Sequence, residues 1–237
     1  MLIPLNQAPF DQPLILERID NQDLADRLQR MGLFEQDQII RLDEKLLVHS
    51  VRIRGPKGDA ILGGGMGVKT IVHLENDRKM TLIDMEPGET GHIEGITGGS
   101  ALAHTLEVLG FHENDPITLV RKLPPMEYIT VIEHGPRIRL SEGDAAKIWG
   151  TVNDEPLQYS LAPINRKFLV TEILGGKRAH KKIKNLEITS SSVLILEGVE
   201  QTRSFHLSVS AHLVITSRDG LHLYLPPWEG NNIWVSV

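Results

Sequence analysis

The 237-residue chain contains no cysteine. Disulfides, thiolate zinc sites and cysteine nucleophiles are therefore excluded, and the composition suits a reducing compartment. No apolar run approaches the ~18 residues that a membrane-spanning helix needs, so direct membrane insertion is not expected. The opening, MLIPLNQAPFDQP, has no basic region followed by an apolar stretch, and no secretory signal is read there. A cytoplasmic location is expected. An excess of positive charge is also missing. The net charge is −6 and the pI about 5.9, which argues against a general nucleic-acid binder. No G-x-S-x-G elbow, H-E-x-x-H or H-x-x-x-H pattern occurs, and no nucleophile stands beside an obvious base. The expectation is a protein that is not an enzyme.

What the chain does have is an internal repeat, the feature that decides a fold when it is present. The segments NQDLADRLQRMGLFEQD, SALAHTLEVLGFHEND and KRAHKKIKNLEITSSS begin at Asn21, Ser100 and Lys177. Apolar residues recur at Leu24, Leu28 and Met31, at Leu102, Leu106 and Leu109, and at Ala179, Ile183 and Leu186. The spacing i, i+4, i+7 predicts three short amphipathic helices. Gly32 and Gly110 follow the first two, where a left-handed cap favours glycine. The third copy has Glu187 there, so that cap should be altered or strained. A strand-like step precedes each helix (Leu16–Ile19, Ile93–Ile96, Val170–Ile173), and strands follow from near Ile39, Ile117 and Leu194. Further strands are read in VRIR from Val51, ITVI from Ile129 and LSV from Leu207. Each unit then reads as a strand, a short helix and three or four strands in about 75 residues, a small bent sheet in a partly open barrel. The expected divisions are 1–79, 80–155 and 156–237, with polar linkers near Asn76–Lys79 and Asn153–Pro156. Their charges differ: 11 basic and 12 acidic side chains, then 5 and 13, then 9 and 6.

The middle unit resembles the FeoA family, the ferrous iron transport protein A type. The residues that carry the likeness are Leu82, Pro87–Gly88, Ile93, Ile96, Gly98–Gly99, Leu106, Leu109–Gly110, Asp115, Ile117 and Val120. The first copy keeps Leu28 and Met31–Gly32, and the third keeps Gly175–Gly176. The resemblance implies a mainly β chain with short helices, built as three tandem SH3-like small β-barrels. It also implies an accessory role in ferrous iron uptake or its regulation, through protein contacts with the cytosolic domain of a membrane ferrous iron transporter. Metal-dependent repressors carry related domains, but no helix-turn-helix segment is read here. A metal-sensing regulator is the alternative.

Two sets of side chains are candidates for function. His92 and Glu94 share a strand face two residues apart and offer an N/O pair suited to a divalent transition ion such as Fe2+. A solvated acidic face is the plainer reading, as surface positions are for His206 and His212. Glu133 and His134 read as a turn. Lys177, Arg178, Lys181, Lys182 and Lys184 lie on or beside the third helix and suit an anionic partner, against the plainer reading of a solvated helix face. Tyr224, Trp228 and Trp234 are expected to pack within the third unit.

The stretch LGGGMGVKT (Leu62–Thr70) suggests a phosphate-cradling loop, but Val68 separates Gly67 from Lys69 and a strand follows. A Walker A loop needs lysine directly after the glycine and a helix after that. Shifts of 78 and 77 residues place Gly143 and Gly220 in equivalent positions, so the stretch is expected to be a turn between the last two strands of a unit.

Overall fold

The computed structural model describes residues 1–237 except 44, 45, 48, 203–208, 211 and 219. The chain begins with β1 (Leu2–Pro4), β2 (Pro13–Ile19), α1 (Gln22–Arg30), β3 (Gln38–Leu42), β4 (Leu46–Leu47), β5 (Ser50–Gly55), β6 (Gly58–Leu62), α2 (Gly64–Gly67) and β7 (Thr70–Leu74). It continues through β8 (Lys79–Thr81), β9 (Thr90–Ile96), α3 (Ser100–Val108), β10 (Pro116–Leu123), β11 (Met126–Ile132), β12 (Arg137–Ser141), α4 (Glu142–Ala145) and β13 (Ile148–Val152). The last part holds β14 (Glu155–Gln158), β15 (Lys167–Ile173), α5 (Lys177–Lys184), β16 (Val193–Gln201), β17 (Val209–Ser210), β18 (Leu213–Ser217), β19 (His222–Leu225) and β20 (Ile233–Ser236).

The expected helices and preceding strand steps are present. Leu24, Leu28 and Met31 are buried, as are Leu102, Leu106 and Leu109; in α5 the fully buried position is Ile183. Strands alternate inward and outward as a one-sided sheet requires. In β5, Val51 and Ile53 are buried, while Arg52 and Arg54 point outward and share Asp59 at 2.6 and 2.7 Å.

Eighteen of the strands form three six-stranded sheets with one shared pattern, and β4 pairs with β17 in a separate two-stranded sheet. Their orders are β1-β20-β2-β3-β18-β19, β8-β7-β9-β10-β5-β6 and β14-β13-β15-β16-β11-β12. Each order is linear, so the pairing among described residues shows open sheets and no closed barrel. Each has its own apolar core, and the second also takes in Leu174, Val214 and Tyr224 from elsewhere in the chain.

These sheets do not coincide with the divisions 1–79, 80–155 and 156–237. The second sheet takes β5, β6 and β7 from the first repeat and β9 and β10 from the second. The third takes β11, β12 and β13 from the second repeat and β15 and β16 from the third. The first takes β2 and β3 from the first repeat and β18, β19 and β20 from the third. Each repeat thus hands its last three strands to the next sheet, and the third hands them back to the first. The expected linkers are hairpin turns: 76–78 joins the paired strands β7 and β8, and 153–154 joins β13 and β14. Side-chain patterns report which face is buried, not which segment supplies the neighbouring strand.

The same handover relocates the C-terminal aromatics. β20 lies between β1 and β2, with Leu2 opposite Ser236, so the tail packs on the N-terminal segment and not within the third repeat. Trp234 donates its indole N–H to Asp20 at 2.6 Å, and the Tyr224 hydroxyl bonds Asp84 at 2.9 Å. Trp228 is exposed. The counterpart of β5 and β11 is β18, and the LSV strand expected from Leu207 starts outside the described residues, as does His206.

Repeat symmetry is also written in the backbone. Gly32, Gly110 and Glu187 all adopt positive φ, at 87°, 81° and 62°. So do Asp11, Gly88 and Asn165, each just ahead of the strand that precedes the helix, β2, β9 or β15. Glu187 therefore makes the same left-handed cap as its glycine counterparts, with the strain that a side chain adds.

Contacts between sheets are specific. Gln158, 1% exposed, donates Nε2–H to the carbonyls of Ile61 and Ala146 at 2.9 and 2.7 Å and accepts from Ile61 N–H at 2.7 Å. Arg27 of α1 donates to the Thr97 carbonyl and to Glu229. His104 of α3 bonds Glu172 at 2.7 Å, and that carboxylate raises the imidazole pKa.

Candidate functional site

The expected pair His92 and Glu94 lies on β9, and the structure adds a third residue from β7. His73 is the cross-strand partner of His92. The two rings lie 5.0 Å apart, centre to centre. Glu94 Oε2 is 3.5 Å from His73 Nδ1 and 3.5 Å from His92 Nε2. All three ligand atoms fall within 4.8 Å of one another. Glycine at 91 allows the strands this approach, because a Cβ there would meet the His73 carbonyl oxygen.

The outer contacts orient the group. Glu94 Oε1 takes the Lys79 ammonium at 2.6 Å, leaving Oε2 toward the two imidazoles. His73 Nε2 meets Asp77 Oδ1 at 2.8 Å, leaving Nδ1 toward Glu94. Burial alone would raise the Glu94 pKa; the Lys79 hydrogen bond and charge, then the two histidines, hold it below the usual range. Two imidazoles and one carboxylate are the donor set of many ferrous sites. Two ligands each about 2.1 Å from one ion lie about 3.0–3.4 Å apart at octahedral or tetrahedral angles. The two 3.5 Å separations lie just above that range, so a bound ion would draw the ligands slightly closer. His73 was invisible to spacing arguments because it sits 19 residues before His92 in the sequence.

The five basic residues all lie on α5. Lys177, Arg178, Lys181, Lys182 and Lys184 are all exposed; Lys182 reaches back to Asp144 at 2.5 Å, and Arg178 borders an open cavity. Lys181, Lys182 and Lys184 occupy the last turn, where positive charge complements the helix dipole. Glu133 pairs with Lys167, and His134 takes positive φ in the β11–β12 turn. His212 is half-buried, with its pKa lowered by burial and then by Lys69.

LGGGMGVKT forms the end of β6, the short helix α2 and the start of β7. Its counterpart in the second repeat is α4, and an added Cβ on Gly63 would touch Gly143 Cα at 3.5 Å. The third counterpart is the 3-10 turn Glu229–Asn232, while Gly220 belongs to the preceding β18–β19 turn. The 77-residue shift misplaced it because the third repeat is longer between β16 and β18 than the second is between β10 and β11.

Residues 80–152 match the model of the FeoA domain. No curated protein matches the chain. No solved structure matches it either. The matched segment starts in β8 and ends with β13, so its strands are divided between the second and third sheets. No helix among the described residues is long and apolar enough to cross a membrane.

Proposed function

We propose that the chain is a non-catalytic cytoplasmic accessory protein of ferrous iron transport, built from three FeoA-like units with SH3-like sheets. The FeoA match at 80–152 carries this reading. The identical strand pattern of the three sheets supports extending it to the repeats 1–79 and 156–237. The protein acts through contacts with the cytosolic domain of a membrane ferrous iron transporter, and the exposed lysines of α5 form part of that contact. The test is capture of the transporter's cytosolic domain by the full chain, with ferrous uptake measured after deletion of its gene. Failure of both the capture and the uptake defect overturns the reading.

A second reading is a metal-responsive regulator, favoured by His73, His92 and Glu94 converging from two strands. A ferrous ion there would bind the two imidazole nitrogens and Glu94 Oε2, fixing β7 against β9. The two readings separate experimentally: the second requires transporter capture or another contact to change when metal binds.

A further inference from the structure

A cavity of about 870 Å³ opens where the second and third sheets meet, a volume in the range of small-molecule sites. Among the described residues, lysine and arginine side chains line it at three positions: Lys69 just before β7, its repeat counterpart Lys147 just before β13, and Arg178 on α5. None of them makes an ion pair or side-chain hydrogen bond with a described residue. Lys147 is half-buried, and its pKa is lowered by burial, with Asp144 opposing and the neighbouring Lys182 adding to the depression. A lysine held out of water beside another cation is costly unless an anion joins it.

The described acidic groups on the wall, Glu127 and Glu142, do not pair with these cations. Glu127 is paired with Arg139 at 2.8 Å. Glu142 is buried beside the hydroxyls of Ser50 and Tyr128. The helices α3 and α5 begin at the same cavity with Gly99 and Gly176, and neither N-terminus has a side-chain cap. By contrast α1, whose start lies elsewhere, is capped by Asn21. Uncapped backbone N–H groups at a helix start favour anions and complement the cations. Met66, Leu102, Leu123 and Met126 supply an apolar part of the wall.

We propose that this cavity binds a small phosphate-bearing anion, with Lys69, Lys147 and Arg178 holding the phosphate and the apolar wall taking any organic body attached to it. The site is separate from His73, His92 and Glu94 and does not depend on a role in iron transport.

The experiment is calorimetry and thermal melting of the full chain with three probes: inorganic pyrophosphate, ATP and citrate. Binding of both phosphate compounds, with citrate much weaker, is expected. Tighter binding of ATP assigns an organic phosphate, and equal binding assigns the free inorganic group; either supports the site. Lys147→Met should weaken binding about tenfold or more, the scale of one lost charge-assisted hydrogen bond. The same change should raise the melting temperature of the ligand-free protein, because it removes a half-buried charge that has no ion-pair partner among the described residues. This pairing separates a binding lysine from a structural one. Arg166→Ala, at an exposed position away from the cavity, should leave binding unchanged. No binding of either phosphate probe at millimolar concentration, undiminished binding by Lys147→Met, or citrate binding as tightly as pyrophosphate overturns the proposal.

Discussion

His73 and His92 stand directly opposite each other across β7 and β9, with a single carboxylate oxygen of Glu94 3.5 Å from both. One strand comes from the first repeat and the other from the second, so the arrangement exists only because the sheet is shared.

The pair predicts divalent metal binding that depends on both strands. Anaerobic calorimetry with Fe2+, or with Co2+ as a spectroscopic substitute, should show one site per chain. Replacing either His73 or His92 with alanine should remove the binding. Asp77→Asn should weaken it about 10–100-fold, as loss of a ligand's outer hydrogen-bond partner does. Equal binding by the wild type and His73→Ala would place the metal elsewhere.

Glu142 predicts an unusual pH response. It is 5% exposed, and burial pushes its pKa up to about 7 against the partial relief given by Ser50, Arg121 and Tyr128. The unfolded carboxyl titrates near 4.5. Between these values the folded chain holds the proton more tightly, so stability from this group is full below about 4.5 and is lost as pH rises to about 7. The effect is about 3 kcal/mol for a shift of this size. Urea unfolding should show Glu142→Gln gaining on the wild type between pH 5 and pH 8. Carboxylates whose pKa values are lowered, such as Asp59 and Asp115, act in the opposite sense but are common to both proteins. A constant difference between the two proteins across this range would refute the assignment.

The left-handed caps predict a stabilising substitution. Glu187 is exposed and sits at φ 62°, where Gly32 and Gly110 serve the other repeats. Glu187→Gly removes the Cβ strain but adds backbone freedom to the unfolded chain, for a net gain of up to about 1 kcal/mol. Gly32→Ala should lose about as much, since a Cβ there meets no atom within 4 Å and only the backbone angle resists it. The midpoints of chemical unfolding measure both, and a destabilised Glu187→Gly would show that its side chain contributes more than the strain costs.

Much of this architecture was legible locally. The i, i+4, i+7 apolar spacing located three helices, and Glu187 marked the altered cap. His92 and Glu94 share a strand face through simple alternation. The missing part was pairing. Nothing in the β11 or β18 pattern specifies whether the neighbouring strand belongs to the same repeat or to the next, because the buried face looks the same in either case. The hairpin turns at 76–78 and 153–154 carry the same polar residues as a linker. His73 and the cavity lysines depend on that pairing, and so they became visible together with it.

The handover predicts where damage to the chain's last strand will be felt. β20 is an inner strand of the first sheet, paired with β1 and β2, and its Ile233 and Val235 are 1% and 0% exposed. Deleting residues 233–237 removes both side chains, each worth about 1.5–3 kcal/mol of burial, leaves β1 without a ladder and leaves β2 paired on one side only, with β3. Were each repeat a self-contained sheet, the loss would fall on the third repeat, around β15 and β16. With the observed order it falls on β2, β3 and α1, more than 190 residues earlier in the chain. Hydrogen exchange distinguishes the two outcomes, since local opening is read segment by segment. Protection should fall at residues 13–42 and persist at 167–201. Loss confined to 167–201 would contradict the cyclic exchange of strands.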